Sequence, residues 1–194
     1  DQEIFSMEEM LELFDPSNIN RSASAYNAEK LLWLNSEYIK AVSNDRLIEE
    51  LKFFDLDLSH HSKRTELLDL GKQRAQTIVD LKKSITDIID IPTSYEEAGV
   101  KKFVKEDTKE LEKNRDDLYN AENIEAITKP FIAEFGLKFP QLFQPIRIAL
   151  TGGTQAPSVY DIIAILGFNE VSSRLSEALK RNFQNTWLFK NNQA

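Results

Sequence analysis

The chain has no cysteine, few residues that break helices and no long apolar run. Its 194 residues include 6 glycines, 6 prolines and 2 histidines, and none of its apolar stretches approaches the roughly 20 residues of a membrane span. The absence of cysteine excludes disulfides and thiolate metal sites, and it fits the reducing cytoplasm. The acidic start DQEIFSMEEM has no initiator Met and no signal-peptide pattern, so we expect a fragment of a longer protein.

Motifs for catalysis and nucleotide binding are also missing. His60 and His61 are adjacent, so on a helix they would point about 100° apart, and we expect no metal site there. No Gly-x-Ser-x-Gly elbow occurs. Gly152-Gly153 is followed by Thr-Gln-Ala, without the lysine of a phosphate-binding loop. We interpret this double glycine as a helix end, with Gly152 at positive φ, followed by a loop that offers backbone amides to a planar or anionic ligand. A plain structural turn is the alternative.

The net charge is −8 and its distribution is uneven. Acidic proteins as a class do not favour nucleic acid, but a phosphate backbone responds to local potential. Residues 63–83 contain 6 bases and 3 acids, and residues 135–160 contain no acid but include Lys138 and Arg147. These two electropositive segments are candidates for contact with an anion. The alternative is that each is a solvated helix face.

Helical periodicity runs through the chain, and strand alternation is absent. We predict an all-α fold of about nine or ten helices in two consecutive bundles. A long helix is expected from about residue 62 to residue 89, and Ile91-Pro92 ends it at the best internal boundary. The aromatic residues Trp33 and Tyr38 have helical spacing, which favours burial in the core. Capping boxes predict helix starts at Ser6-x-x-Glu9, Thr93-x-x-Glu96 and Ser158-x-x-Asp161.

Three ordered segments resemble the C-terminal half of bacterial glutamyl-tRNA synthetases, over residues 4–182. The segment IFSMEEMLELFDPSNINRSASAYNAEKLLWLN is similar to the end of the stem-contact region. LLDLGKQRAQTIVDL is similar to the first anticodon-binding helix, with an Arg-x-x-Thr signature in Arg74 and Thr77. QPIRIALTGGTQAPSVYDIIAILGFNEVSSRLSEAL is similar to the most distinctive segment of the family, which contains Pro-hydrophobic-Arg-hydrophobic-Ala-Leu-Thr-Gly.

The resemblance implies an α-cage of two helical bundles that binds an anticodon. It divides the chain into the end of the stem-contact region (1–40), anticodon-binding subdomains 1 (41–91) and 2 (92–182), and an unassigned tail (183–194). Arg74 is expected to face the third anticodon base, with Arg147 and residues 156–159 near the anticodon, because arginine and backbone amides recognise unstacked bases. The RNA-binding residues that we expect are Arg21, Lys30, Arg74, Thr77, Arg147, Thr151, Ala156, Pro157 and Val159.

The implied function is tRNA binding within glutamate–tRNA ligase, a cytoplasmic enzyme that activates glutamate with ATP and attaches it to tRNA(Glu). ATP and Mg would belong to the upstream catalytic domain, so we expect no catalytic residue, metal or cofactor in this chain, no membrane contact, and a monomer. Ala156 departs from the polar residue or glycine that often precedes the loop proline, which leaves open a variant that charges tRNA(Gln) with glutamate. An acidic helical scaffold that binds only proteins is the alternative from another class.

Overall fold

The computed structural model describes residues 2–19, 22, 25–103, 128–130, 132–134 and 136–183, and within these ranges all regular structure is helical. The all-α prediction is confirmed. A 3₁₀ turn covers Pro16–Asn18, and a π-helical turn covers Leu179–Phe183. Most of the unassigned tail (183–194) lies outside the described residues. The helices are α1 (Met7–Leu13), α2 (Ala28–Ala41), α3 (Asn44–Lys52), α4 (Arg64–Lys72), α5 (Ile78–Ile89), α6 (Glu97–Phe103), α7 (Phe139–Thr151) and α8 (Val159–Ala178).

Of the three predicted capping boxes, only the first is confirmed. The Ser6 hydroxyl accepts the Glu9 N–H at 3.1 Å, and the Ser6 N–H donates to the Glu9 carboxylate at 2.7 Å. Ser158 precedes α8 but makes no capping hydrogen bond with its side chain. Helix α6 begins only at Glu97, and the Glu96 carboxylate bonds the distant Thr154 instead. A tertiary contact therefore overrides the local pattern at Thr93-x-x-Glu96.

The prediction of one long helix from 62 to 89 is wrong, because α4 and α5 are separate helices. Thr77 begins α5 with a capping box of its own: its hydroxyl accepts the Asp80 N–H at 3.1 Å, and its N–H donates to the Asp80 carboxylate at 2.9 Å. The two helices pack closely at Gly71, where a Cβ would lie 2.8 Å from a leucine methyl group of α5. The break places Arg74 in the turn between the two helices.

The main core joins α2–α5 to α7 and α8. Each large apolar side chain buried there stabilises the fold by about 1.5–3 kcal/mol. A smaller cluster packs α6 against α7 through Val100, Ile148 and Ala149. The fully buried large side chains include Leu47, Leu51, Leu58, Leu67, Leu68, Leu81, Ile85, Ile88, Ile148, Leu150 and Ile162.

The N-terminal helices bury little. Helix α1 has no buried residue, and the side chain of Met7 is 65% exposed. Trp33 and Tyr38 are 39% and 37% exposed, so the prediction that they belong to the core is wrong. The Tyr38 hydroxyl instead donates to the Phe5 carbonyl at 2.6 Å, which holds the segment before α1 against α2.

Arg174, on α8, joins the C-terminal ends of two other helices. The last carbonyls of a helix have no partner within it. The Arg174 side chain is 3% exposed and also pairs with Glu170 at 2.7 Å. At 2.8 to 3.0 Å its guanidinium donates to the carbonyls of Ile88, Ile89, Asp90 and Leu150. The arginine thereby fixes α5 against α7. In the described ranges, no helix is long and apolar enough to cross a membrane.

Candidate nucleic-acid interface

The double glycine ends α7, as its sequence predicts. Gly152 adopts φ 80°, in the left-handed region, and its N–H donates to the Ile148 carbonyl at 2.8 Å. The Gly152 carbonyl accepts the Glu96 N–H at 2.7 Å. A Cβ at position 152 would lie 3.0 Å from the Ser94 carbonyl oxygen, so glycine is needed both for its φ and for this close approach. The chain then runs through residues 153–158, which we call the α7–α8 loop.

Glu96 holds the first half of this loop. Its carboxylate accepts two hydrogen bonds from Thr154, one from the N–H at 2.8 Å and one from the hydroxyl at 2.7 Å. These bonds lower the pKa of the Glu96 carboxyl from its ordinary value. Gly99 permits the contact, because a Cβ there would lie 2.7 Å from the Thr154 methyl group. The start of α6 and the loop are therefore in direct contact.

Arg74 holds the second half of the loop from the other side. Its Nη1 donates to the Ala156 carbonyl at 2.6 Å, across 82 residues of sequence. This bond uses only part of the five N–H donors of a guanidinium. The two elements that resemble the anticodon-binding segments of the synthetases therefore meet at Arg74 and Ala156.

Arg147, on α7, lies beneath the same loop, and its guanidinium makes few hydrogen bonds there. Its Nε is buried and has no hydrogen-bond partner among the described residues, and its Nη1 lies 3.5 Å from the Thr154 carbonyl oxygen. Burial, and to a lesser degree the positive charge of Arg74, lowers the pKa of the Arg147 guanidinium. One turn earlier, the Gln144 Oε1 is also buried and has no hydrogen-bond partner in the described part of the chain. A buried polar group left unpaired costs about 1–3 kcal/mol, which makes these atoms candidates for ligand contact.

The surface around the α7–α8 loop carries both signs of charge: Asp80, Asp87 and Glu96 lie near Arg74 and Lys83. Within the described residues, no carboxylate forms a salt bridge with Arg74 or Arg147. Of the five other bases of the 63–83 segment, three form salt bridges with carboxylates, whereas Arg64 and Lys82 form none within the described residues. The pairs are Lys63–Glu66 at 3.0 Å, Lys72–Asp69 at 3.2 Å and Lys83–Asp87 at 2.5 Å.

Two open grooves lie along this face. The first groove, of about 440 Å³, lies between α5 and the α7–α8 loop, and its lining includes Arg74, Gln76, Ala156 and Pro157. The second groove, of about 390 Å³, is lined by residues that include Tyr95, Glu96, Thr151 and Gly153. Both volumes fall in the range of ligand sites, about 300–1,000 Å³. The residues common to both linings are Lys83, Asp87 and Gln155.

The predicted RNA-binding residues fall into two groups. Those around the loop are brought together: Arg74, Ala156 and Pro157 line the first groove, and Thr151 lines the second. The Thr151 hydroxyl donates to the Arg147 carbonyl at 2.9 Å, which places both residues on one turn of α7.

The remaining predicted residues have other environments. Val159 is buried in the core as the first residue of α8. The Thr77 hydroxyl is engaged in the cap of α5. Lys30 pairs with Glu3 at 2.7 Å and lines neither groove. Arg21 lies outside the described residues.

The sequence-based prediction missed three residues of this face. Gln144 could have been found from helical spacing, because it lies one turn before Arg147 and therefore on the same side of α7. Glu96 and Gln155 carry no local signal, since their positions depend on contacts between segments distant in sequence. The part of the chain that the structure describes contains no group of three or more His, Cys, Asp or Glu side chains suited to a metal ion.

Comparison with known families identifies the fold. Residues 27–179 match a family model described as an anticodon binding domain. The chain belongs to this anticodon-binding domain family. The match covers α2 through α8 and therefore includes both grooves and the loop between them.

The relatives of this anticodon-binding domain are glutamate–tRNA ligases. The chain is 77% identical to glutamate–tRNA ligase 1 of Aliarcobacter butzleri (strain RM4018), over 96% of this chain and 41% of that ligase. It is 40% identical to glutamate–tRNA ligase 1 of Campylobacter hominis, over 93% of this chain and 40% of that ligase. The chain thus spans about two-fifths of the length of these curated relatives, and the resemblance found in its sequence is confirmed.

Solved structures agree with this assignment. A crystal structure of a glutamate tRNA ligase from Elizabethkingia meningosepticum, in complex with its amino acid, superposes with a TM-score of 0.77 and 25% identity over 91% of this chain and 37% of that one. The glutamate-tRNA synthetase of Elizabethkingia anophelis superposes with a TM-score of 0.74 and 26% identity, over 91% and 36% of the two chains. The helical arrangement is therefore shared with structures of this enzyme class.

Proposed function

We propose that this chain binds the anticodon loop of a tRNA at the face formed by Arg74, Arg147 and the α7–α8 loop. The proposal rests on Arg147, a half-buried guanidinium that has no carboxylate partner and no partner for its Nε within the described residues. Burial, and to a lesser degree the charge of Arg74, lowers its pKa. Such an arrangement is costly in the free protein and is relieved by a ligand that accepts hydrogen bonds.

RNA bases unstacked in a loop meet these requirements. Sequence-specific RNA-binding proteins recognise splayed bases by stacking and by hydrogen bonds to their edges. The planar guanidinium of arginine can do both. Gln144, with its unpaired oxygen one turn away, supplies an acceptor for an exocyclic amine of a base. The charged and polar groups of this face therefore match a single-stranded loop better than a duplex backbone alone.

The enzyme that this domain would serve is glutamate–tRNA ligase, in the cytoplasm. In that enzyme ATP and glutamate would bind outside this chain, and the domain would contribute affinity for tRNA(Glu) and discrimination against other tRNAs. We further propose that residues 1–40 end a stem-contact region, that 41–91 and 92–182 form two anticodon-binding subdomains, and that the chain acts as a monomer. The tRNA(Gln) alternative rests on Ala156, whose buried side chain offers no hydrogen bond to a base.

Binding to a tRNA(Glu) transcript with the anticodon UUC tests the proposal directly. We expect the 194-residue chain to bind the labelled transcript in fluorescence anisotropy, with an affinity that falls steeply as salt rises. Arg147→Ala should weaken binding by about 1–3 kcal/mol.

Lys138→Ala is the matched control, because Lys138 is the other base of the 135–160 segment and its exposed side chain lies just before the start of α7, whereas Arg147 lies near the end of α7, under the α7–α8 loop. Lys138→Ala should weaken tRNA binding less than Arg147→Ala does, and it should change only the dependence of affinity on salt. Equal losses in the two variants would indicate unspecific attraction of phosphate. Unchanged affinity in Arg147→Ala would place the RNA on another face.

A further inference from the structure

Gln155 has an unusual position in the α7–α8 loop. The residues that follow it, Ala156 and Pro157, are buried, and neither has a polar side-chain atom. Gln155 is exposed, and it lines both grooves. It therefore lies on the ridge between the grooves and is the point of the loop where a polar side chain meets both of them.

The backbone on each side of Gln155 is fixed. The preceding residue, Thr154, is held by two hydrogen bonds to Glu96, and the following residue, Ala156, is held by Arg74. A side chain on a backbone fixed in this way loses less entropy when it binds a ligand, and it presents its amide in a defined place.

The three carboxylates that line the grooves are already engaged. Asp80 caps α5, Asp87 pairs with Lys83, and Glu96 accepts from Thr154. Within the described residues, the Gln155 amide makes no hydrogen bond to the rest of the chain. It carries one acceptor oxygen and two N–H donors, so it can form the paired donor and acceptor contacts that identify a base edge.

We propose that Gln155 is a specificity-determining residue of this interface. Its amide hydrogen-bonds the edge of one unstacked RNA base on the ridge, while the adjoining nucleotides occupy the grooves on either side. The assignment rests on the proposed function, since it requires that RNA binds this face. Gln155 would thus discriminate between bases, which the buried, apolar side chain of Ala156 cannot do.

A panel of anticodon stem-loop hairpins tests this assignment. Starting from the UUC hairpin, each loop nucleotide is replaced in turn, and the affinity of each hairpin is measured for the 194-residue chain and its variants. For the unsubstituted chain, a wrong base at one loop position should weaken binding by about 5- to 150-fold. Gln155→Ala should abolish this loss of affinity and leave the effects of replacements at the other loop positions unchanged. Ser158→Ala is the matched control, because Ser158 is exposed on the same loop but lines neither groove.

Gln155→Glu sharpens the test, because it keeps the size and one acceptor but loses the donors. At the same loop position, this variant should shift preference towards bases that present an amine. A Gln155→Ala variant that retains every penalty, or that weakens all hairpins equally, would overturn the assignment. If the unsubstituted chain bound no hairpin at all, the proposed function would fail, and this assignment with it.

Discussion

Arg174 and Arg147 lie on adjacent helices, and both guanidiniums approach backbone carbonyls, but their surroundings differ. Arg174 is almost fully buried, donates to four carbonyls and pairs with Glu170. Arg147 is half-buried, has one marginal contact at 3.5 Å and leaves its Nε unpaired. The Arg174 guanidinium is therefore held by bonds within the fold, whereas that of Arg147 is only partly paired within the described residues.

Hydrogen-bond partners separate structural arginines from candidate ligand-binding arginines in one helical domain. A guanidinium whose donors are all used inside the fold stabilises that fold and has little left for a partner. One that is desolvated without acceptors reduces stability and is retained for binding.

Substitution of Arg174 should have the largest effect. Arg174→Ala leaves Glu170 unpaired and orphans the carbonyls at the ends of α5 and α7, so we expect a loss of about 3–5 kcal/mol in the free energy of unfolding. Urea denaturation followed by circular dichroism measures it. Arg174→Lys keeps the charge but lacks the planar guanidinium with its five N–H donors, so it should recover only part of the lost stability. A loss below about 1 kcal/mol in Arg174→Ala would show that the carbonyl network is dispensable.

Gly152→Ala should have the next largest effect, because position 152 needs both a left-handed φ and space. We expect a loss of about 1–3 kcal/mol in the free energy of unfolding. Gly136→Ala is the control, since Gly136 has φ 60° but nothing within 4 Å of the position of a Cβ. The loss of stability in Gly136→Ala measures the strain of alanine at a positive φ. Any additional loss in Gly152→Ala measures the steric contact with the Ser94 carbonyl. Equal losses would show that this contact yields without cost.

Arg147→Ala should change stability little without RNA. Because the substitution removes an unpaired, desolvated charge, the free energy of unfolding should stay within about 0.5 kcal/mol or rise. In differential scanning fluorimetry, a tRNA(Glu) transcript should raise the melting temperature of the unsubstituted chain but raise that of the variant much less. A large loss of stability in the variant without RNA would contradict the contrast with Arg174.

The smallest effect concerns Glu96 and pH. Because the hydrogen bonds from Thr154 lower the pKa of the Glu96 carboxyl in the folded state, its contribution is present above the ordinary value of 4.5 and is lost as the pH falls through the lowered folded-state pKa. Melting temperature against pH should therefore fall less steeply in acid for Glu96→Gln than for the unsubstituted chain. Identical profiles would show that Glu96 does not hold the loop.

Much of the fold was predictable from local patterns. Ser6 and Gly152 begin and end helices where the sequence indicates, because their bonds lie within one turn. The break before Thr77 carried its own local signal, Thr-x-x-Asp, which the apolar periodicity on either side concealed. Trp33 and Tyr38 could not be placed from spacing alone, since a helical stripe indicates a shared face but not what covers it.

The candidate site was only partly predictable. Arg74, Arg147 and the loop were named from the resemblance, and the structure brings them together. The network around Arg174 joins residues 24 to 86 positions apart, and no local motif marks such contacts. The importance of Gln155 likewise depends on which neighbouring side chains are buried, a property of the packed chain rather than of the loop sequence.

The most direct test of the account compares two tRNA(Glu) transcripts that differ only at the third anticodon base, UUC and UUG, by fluorescence anisotropy across a salt series. Because the phosphates are identical, both affinities should fall with salt along parallel lines, with the UUC transcript bound more tightly throughout. Equal affinities at every salt concentration, or binding to neither transcript, would contradict anticodon recognition by this face. A consistent preference for UUG would contradict the glutamate assignment and favour tRNA(Gln).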